Sequence, residues 1–275
     1  MKENRFNLPD GRVLTWYEAG RGKPLVLLHV WAMSAAVFRE VVELLAADFR
    51  LLVPDLPGHG RSSPAAQNNL AGISEVLVNW IAAIAQGPLG LVGWSLGGML
   101  SLEIARQQVL PVGCLVLIST TPRFTLADGW DFGLPLAQVR ALARKLERRF
   151  EATLADFFAL AFAGEEIDSE RLLAIRRFAV KRSPLPDHAA VRGLLDVLAV
   201  QDQRASLATI QQPALVLHGD MDRITPAAAG KYLAEMLPRG NFSGFAGIGH
   251  GPFLSQPAVV ATQVREFCRW RRIKQ

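Results

Sequence analysis

The chain has 275 residues, half of them hydrophobic, and a formal net charge of +5. That length can bury one large core and still carry an insertion, while no apolar run reaches the ~20 residues that span a bilayer. A basic balance admits nucleic acid, a membrane surface or an acidic protein as partner, but no nucleic-acid motif is present, so neither nucleic acid nor membrane is expected.

Met1-Lys-Glu-Asn-Arg-Phe6 opens without the apolar stretch of a secretory leader, so export is not expected. Phe6 and Val13–Tyr17 read as an opening pair of strands around the turn Pro9-Asp10-Gly11. Pro24–His29 is continuously apolar, the mark of a strand covered on both faces. After the loop Val30-Trp31-Ala32-Met33, the residues Val37, Val41, Leu44 and Leu45 recur at helical spacing within 35–47. Phe49–Asp55 is a further buried strand, and it runs into the turn-rich Leu56–Ser63. A helix over 73–85 precedes the short apolar strand Leu89–Gly93, and 99–109 carries helix formers without Gly or Pro. Cys114–Ser119 is one more apolar strand. Strands alternating with helices in this way predict a mostly parallel central sheet flanked by helices.

The alternation stops at Thr121. From there to 206 the pattern predicts helices over 136–150, 151–162, 169–181 and 187–198, split by Gly164 and Ser183-Pro-Leu-Pro186. A strand at 213–218, a helix over 227–237, a strand at 241–245 and a helix over 257–270 resume the earlier rhythm. The expected organisation is an α/β core of 1–120 and 207–275, with a helical lid, 121–206, inserted in it. Two cysteines, Cys114 and Cys268, make no disulfide framework, so a reducing cytoplasm is the expected compartment. No C-x-x-C or H-E-x-x-H occurs, and neither a metal nor a cofactor is expected.

Chemistry concentrates at Gly93-Trp94-Ser95-Leu96-Gly97, a G-x-S-x-G run between a strand and a helix. In that context the serine sits on a tight turn above the sheet as a nucleophile. A serine hydroxyl needs a base to take its proton, and the base needs a carboxylate to orient it, in the chain order Ser, acid, His. Of the five histidines, His29 ends a strand and shapes the Trp31 loop, and His59 in Pro-Gly-His-Gly reads as structural or as cleft rim. His188 falls among the inserted helices as a surface residue, and His218 ends a strand as a hydrogen-bonded one. His250, in the loop Gly247–Pro252 after the last strand, is the expected base. For the acid, Asp220 and Asp222 both follow the His218 strand, and Asp55 is a lesser alternative whose better role is anchoring the Pro57-Gly58 loop. The oxyanion requires two N–H donors, expected from Leu96 and from Trp31.

These motifs, together with Leu28-His-Val-Trp31, Asp55-Leu-Pro-Gly-His-Gly-Arg-Ser62, Gly219-Asp-Met-Asp222 and His250-Gly-Pro-Phe253, resemble the α/β-hydrolase superfamily over essentially the whole chain. Within it the closer resemblance is to the family of pimeloyl-[acyl-carrier protein] methyl ester esterases of biotin synthesis. Trp94 discriminates here, because many relatives carry His before the serine. The resemblance selects Asp222 as the acid, beside Ser95 and His250. It also implies that Asp156-Phe-Phe-Ala-Leu160 lines a substrate channel, so that Trp31, Ser95, Leu96, Phe157, Phe158, Ala161 and His250 would touch substrate. Four positions depart from the family pattern. His29-Val-Trp-Ala32 replaces His-Gly-Trp-Gly, and Val30 does not readily take a positive φ. Ala161 replaces a polar residue, and Asp156 stands where a basic one is expected.

The implied activity is a carboxylester hydrolase that removes methyl from a pimeloyl methyl ester on its carrier protein. A general short-chain carboxylesterase, or a lactone or carbon–carbon bond hydrolase, would use the same residues. A haloalkane dehalogenase is disfavoured because its nucleophile is an aspartate. A non-catalytic ligand receptor is the alternative from another class, and the intact Ser, Asp and His argue against it. The partner is a small or carrier-bound acyl ester, and the chain is expected to be a monomer. An acidic acyl-carrier protein would dock on the basic lid clusters Arg140, Arg144, Lys145, Arg148, Arg149 and Arg171, Arg176, Arg177, Lys181, Arg182. The alternative is that these are solvated helix faces, neutralised by Glu147, Glu151, Glu165, Glu166 and Glu170.

Overall fold

A computed structural model describes residues 1–181 and 184–269. The expectations placed on Arg182, on Ser183 and on the tail from Trp270 lie outside the described residues. Eight strands form one sheet: β1 (Lys2–Asn7), β2 (Val13–Ala19), β3 (Lys23–Leu28), β4 (Phe49–Pro54), β5 (Leu89–Trp94), β6 (Val112–Ile118), β7 (Ala214–Gly219) and β8 (Gly240–Phe245). Their order is β1-β2-β4-β3-β5-β6-β7-β8. β2 pairs antiparallel with β1 and β4, and the remaining pairs are parallel. The central strands β3, β5 and β7 are buried nearly end to end, as their unbroken apolar sequences require. β8 stays partly exposed along most of its length, as an edge strand does.

The core helices are α1 (Arg39–Leu45), α2 (Leu70–Ile84), α3 (Leu96–Gln107), α8 (Ala227–Met236), α9 (Pro252–Ser255) and α10 (Pro257–Cys268). Between β6 and β7 lie α4 (Leu136–Arg148), α5 (Phe150–Leu160), α6 (Ser169–Arg176) and α7 (His188–Val200). Local capping sets several starts. Asn69 accepts from Gly72 N at 2.8 Å, Asp168 from Arg171 N at 3.0 Å and Asp187 from Ala190 N at 2.8 Å.

Three elements differ from the sequence pattern. The helix expected over 35–47 is a 3₁₀ turn, Ala35–Phe38, followed by α1, because the N–H of Val37 bonds the carbonyl of Ser34 three residues back. The stretch 169–181 passes from α6 into a π-helical turn at Arg177–Lys181. The helix after the serine begins at Leu96 rather than Met99, because Gly97 and Gly98 are its first turn, packed against the sheet.

Apolar packing is continuous through the sheet and the β6–β7 segment. Cys114 Sγ and Cys268 Sγ lie 3.3 Å apart as buried free thiols where α10 crosses β6. Trp80 of α2 is fully buried and meets Trp16 of β2 edge-on at 5.6 Å. Replacing Trp80 by Ala is expected to cost about 3–5 kcal/mol, because the surrounding β-strands collapse poorly onto so large a void. Urea unfolding at pH 7.5 measures this, and a loss near zero would mean that α2 does not depend on this contact.

Candidate active site

Ser95 ends β5 and starts α3 at φ 54° and ψ −110°, a backbone conformation that costs a non-glycine residue energy. Close packing enforces it. A Cβ on Gly93 would stand 2.3 Å from the carbonyl oxygen of Gly97, and one on Gly97 would stand 2.0 Å from that of Leu28. The N–H of Ser95 is bound to Ile118 O at 2.9 Å, and its carbonyl accepts from Gly98 and Met99 at 2.9 and 3.1 Å. The first N–H groups of a helix lack intrahelical acceptors, and Leu96 and Gly97 are the first residues of α3.

Asp222 and His250 meet directly. His250 Nδ1 donates to Asp222 Oδ2 at 2.7 Å, and both side chains are fully buried. The other carboxylate oxygen accepts from Ile224 N and Thr225 N, each at 2.9 Å, and Thr225 Oγ1 lies 3.0 Å from Oδ2. Burial alone would raise the pKa of Asp222, but His250, His218 and these hydrogen bonds hold it well below the ordinary carboxylate range. His250 Nε2 is buried and carries no hydrogen bond among the described residues, leaving it free to accept a proton. Asp220 is exposed and takes another part: its Oδ1 accepts from Gly247 N at 2.7 Å at the start of the histidine loop.

His218, read from sequence as an ordinary bonded residue, is a second imidazole on the same carboxylate. Its Nε2 lies 2.8 Å from Thr225 O and 3.2 Å from Asp222 Oδ2, while its Nδ1 is buried without a partner among the described residues. The Asp-x-x-Thr spacing ahead of Pro226 was the available signal for Thr225, since an aspartate there folds back on the following N–H groups.

On the oxyanion side, His29 Nδ1 bonds Val30 O at 2.7 Å and its Nε2 accepts from Leu56 N at 2.9 Å. His59 bonds Pro57 O at 3.1 Å, and its Nε2 accepts from Ala32 N at 3.1 Å. Each ring thus has one accepting nitrogen and is neutral. Burial holds His29 well below the ordinary imidazole value and brings His59 down to about 4. The departure flagged at Val30 falls elsewhere: Ala32 takes the positive φ, 63°, and Val30 does not. Trp31 lies between these ties, with its indole N–H bound to Val191 O of α7 at 2.8 Å.

An apolar cavity of about 430 Å³ opens beside the site between α4 and α5. Leu142, Phe157, Leu160 and Ile224 line it, with Lys145 and Asp156 of opposite charge on its wall. Phe157 also meets Trp31 edge-on at 4.9 Å. Phe158 does not line the cavity: one residue round the helix, it packs on Phe162 at 5.2 Å in the core. Leu160, three residues after Phe157 on the same face, stands there instead. Ala161 is buried away from the cavity, and its carbonyl accepts from His250 N at 2.8 Å. Asp156 pairs with Arg149 at 3.2 Å. Trp94 Nε1 donates to His250 O at 2.7 Å and the ring abuts Phe253, so this tryptophan pins the histidine loop.

The basic clusters divide. Arg140, Arg144, Lys145 and Arg148 are exposed and form no ion pair among the described residues. Arg171 is committed to Glu40 at 2.6 Å and to Leu254 O. Of the acidic residues weighed as neutralising, Glu147 is 3.6 Å from Arg192, and Glu165 turns inward to Gly249 N and Ser255 Oγ, both at 2.6 Å. Burial raises the pKa of Glu165 against those two hydrogen bonds.

The chain belongs to the α/β-hydrolase fold family, whose model matches residues 23–257. Several of its relatives share one name. The pimeloyl-[acyl-carrier protein] methyl ester esterase of Nitrosomonas europaea is 38% identical over 238 residues, 86% of this chain and 92% of that protein. The enzyme of the same name from Chromobacterium violaceum is 36% identical over 239 residues, covering 86% and 90%. Among solved structures, an esterase from Exiguobacterium antarcticum shares the fold with a TM-score of 0.89 at 21% identity, covering 97% of this chain and 99% of that one.

The neutral histidines carry a pH signature. Both are proton-free in the fold but take up a proton near pH ~6.5 when unfolded, so their stabilisation is complete above that pH and is lost as pH falls. Each contributes a slope of up to ~1.4 kcal/mol per pH unit below ~6.5, ending for His59 near its folded value. Urea midpoints at pH 7.5, 6 and 5 should show this decline, and His59→Gln should flatten it. An unchanged slope in His59→Gln would refute the assignment.

Proposed function

We propose that this chain is a serine carboxylester hydrolase that cleaves the methyl ester of a pimeloyl group carried on an acyl-carrier protein. One observation carries the chemistry: His250 is held by a buried carboxylate on Nδ1 and keeps Nε2 free, on the loop that Trp94 ties to the serine elbow. The substrate follows from the relatives' names. Ser95 Oγ attacks the ester carbonyl as His250 Nε2 takes its proton, and Asp222 stabilises the imidazolium. The oxyanion is met by the N–H groups of Leu96 and Trp31, each such donor being worth on the order of 3 kcal/mol of barrier. Methanol leaves with the proton from Nε2. Water then gives a proton to the same nitrogen and attacks the acyl-enzyme, releasing the carboxylic acid and restoring Ser95.

The segment 121–206 serves as the lid over the core of 1–120 and 207–275. The apolar cavity between α4 and α5 takes the methylene chain, with Phe157 and Leu160 as its walls. The carrier docks on the outer face of α4, where Arg140, Arg144 and Arg148 are free of ion pairs among the described residues, with Lys145 at the cavity wall beside it. Arg171 is not part of that surface.

Turnover of p-nitrophenyl butyrate tests the triad. Ser95→Ala should abolish it with the fold intact, and Asp222→Asn should lose roughly 10³-fold or more in kcat, whereas Asp220→Asn should lose far less. Comparable losses at the two aspartates would remove Asp222 from its role. For the substrate, Arg144→Glu with Arg148→Glu should lower kcat/KM on a carrier-bound methyl ester at low salt and spare the small ester. Added salt should shrink the difference, because exposed charges act mainly on encounter. Equal behaviour on both substrates would point to a general carboxylesterase.

A further inference from the structure

The loop that carries His250 holds glycines at 247, 249 and 251, a composition that leaves the free chain loose. Its order therefore comes from partners outside it. The core supplies three to its backbone: Asp220 accepts from Gly247 N, Met221 N donates to Ile248 O and Trp94 donates to His250 O. The turn that follows α5 supplies three more: Ala161 O accepts from His250 N, Glu165 Oε1 from Gly249 N and Glu165 Oε2 from Ser255 Oγ. The two oxygens of Glu165 thus grip the chain on both sides of His250. Both bonds are short, at 2.6 Å, and among the described residues no other group accepts from Gly249 N or Ser255 Oγ. No ordinary reading of lid helices asks for such a carboxylate, since a glutamate at the end of a surface helix normally faces water.

We propose that Glu165 is a positioning residue: through Gly249 and Ser255 it fixes the backbone on both sides of His250, and so sets where the imidazole stands between Asp222 and Ser95. The inference rests on the reading of His250 as the base. It makes the β6–β7 helical segment part of the catalytic assembly rather than only a cover for the acyl chain. A misplacement of about 1 Å at a reacting group costs roughly 10²-fold in rate, which sets the size of the expected effect.

The experiment measures kcat and KM for p-nitrophenyl butyrate, with active sites counted by an organophosphonate that labels Ser95. Glu165→Leu, similar in size but unable to accept, should lower kcat by roughly 10- to 100-fold with KM changed by less than about threefold. Glu165→Gln should return kcat to within about threefold of wild type, because its amide oxygen still accepts from Gly249 and its amide nitrogen can donate to Ser255. Glu166→Gln, on the exposed neighbour, should match wild type. The decisive arm repeats Glu165→Leu in a His250→Ala background, where a residue acting through His250 should cost less than about twofold further. Should Glu165→Leu fail to fold, Ser255→Ala removes one of the two bonds and should lower kcat by about three- to tenfold in the wild-type background only. A kcat per active site within threefold of wild type in Glu165→Leu, or in its absence a wild-type kcat in Ser255→Ala, would overturn the proposal, as would equal losses in the two backgrounds. Full activity in Ser95→Ala or His250→Ala would instead overturn the reading of the base itself.

Discussion

A carboxylate taken out of water must be met by donors or give up its charge. Asp222 is met on both oxygens: two backbone N–H groups hold Oδ1, and His250, Thr225 and His218 surround Oδ2. All but one of these donors come from the end of β7 and the turn just beyond it, so the charge is built into the strand rather than delivered by a loop. The remaining donor, His250 Nδ1, is thereby fixed as the protonated nitrogen. The opposite nitrogen is buried and unpaired among the described residues, which leaves it able to accept a proton.

The site contains two pairs of histidines, kept apart by what lies beside them. His29 and His59 face one another edge-on at 5.3 Å, and burial keeps both neutral, outweighing the pull of the Asp187 carboxylate on His59. Their accepting nitrogens serve as fixed points for backbone N–H groups at Leu56 and Ala32, which sets the loop around Trp31 without placing a charge there. His218 and His250 share a carboxylate instead. One pair is scaffolding and the other surrounds an ion.

The parallel sheet and the serine elbow were legible because they rest on local pattern. Unbroken apolar runs become strands covered on both faces, and G-x-S-x-G between strand and helix leaves little conformational choice. The histidine followed from its position after the last strand, whereas the choice between Asp220 and Asp222 needed the family pattern. What was not legible depends on side-chain direction or on long-range contact. Phe157 and Phe158 are equivalent as letters, yet a turn of about 100° puts one in the cavity and the other in the core. Arg171 looks like any exposed helix arginine until Glu40, 131 residues away, claims it. The strain that the family pattern implied at Val30 is taken up at Ala32, where His59 binds the N–H that the turned backbone presents.

The helical segment between β6 and β7 grips both halves of the site. α7 receives the indole of Trp31 on Val191, and the turn after α5 reaches the loop of His250. This bears on how such a chain can be altered by recombination. A segment exchanged whole for that of another hydrolase would bring a new cavity, but would leave the histidine loop without the acceptors that Ala161 and Glu165 provide. Junctions placed so that the resident sequence resumes at Ala161 and runs through Arg171 would keep those acceptors and the tie to Glu40, confining the exchange to α4 and α5. The wall of the cavity and the contacts to the histidine loop therefore meet at a seam inside the segment, and the cavity can be reshaped freely only on the α4–α5 side of it.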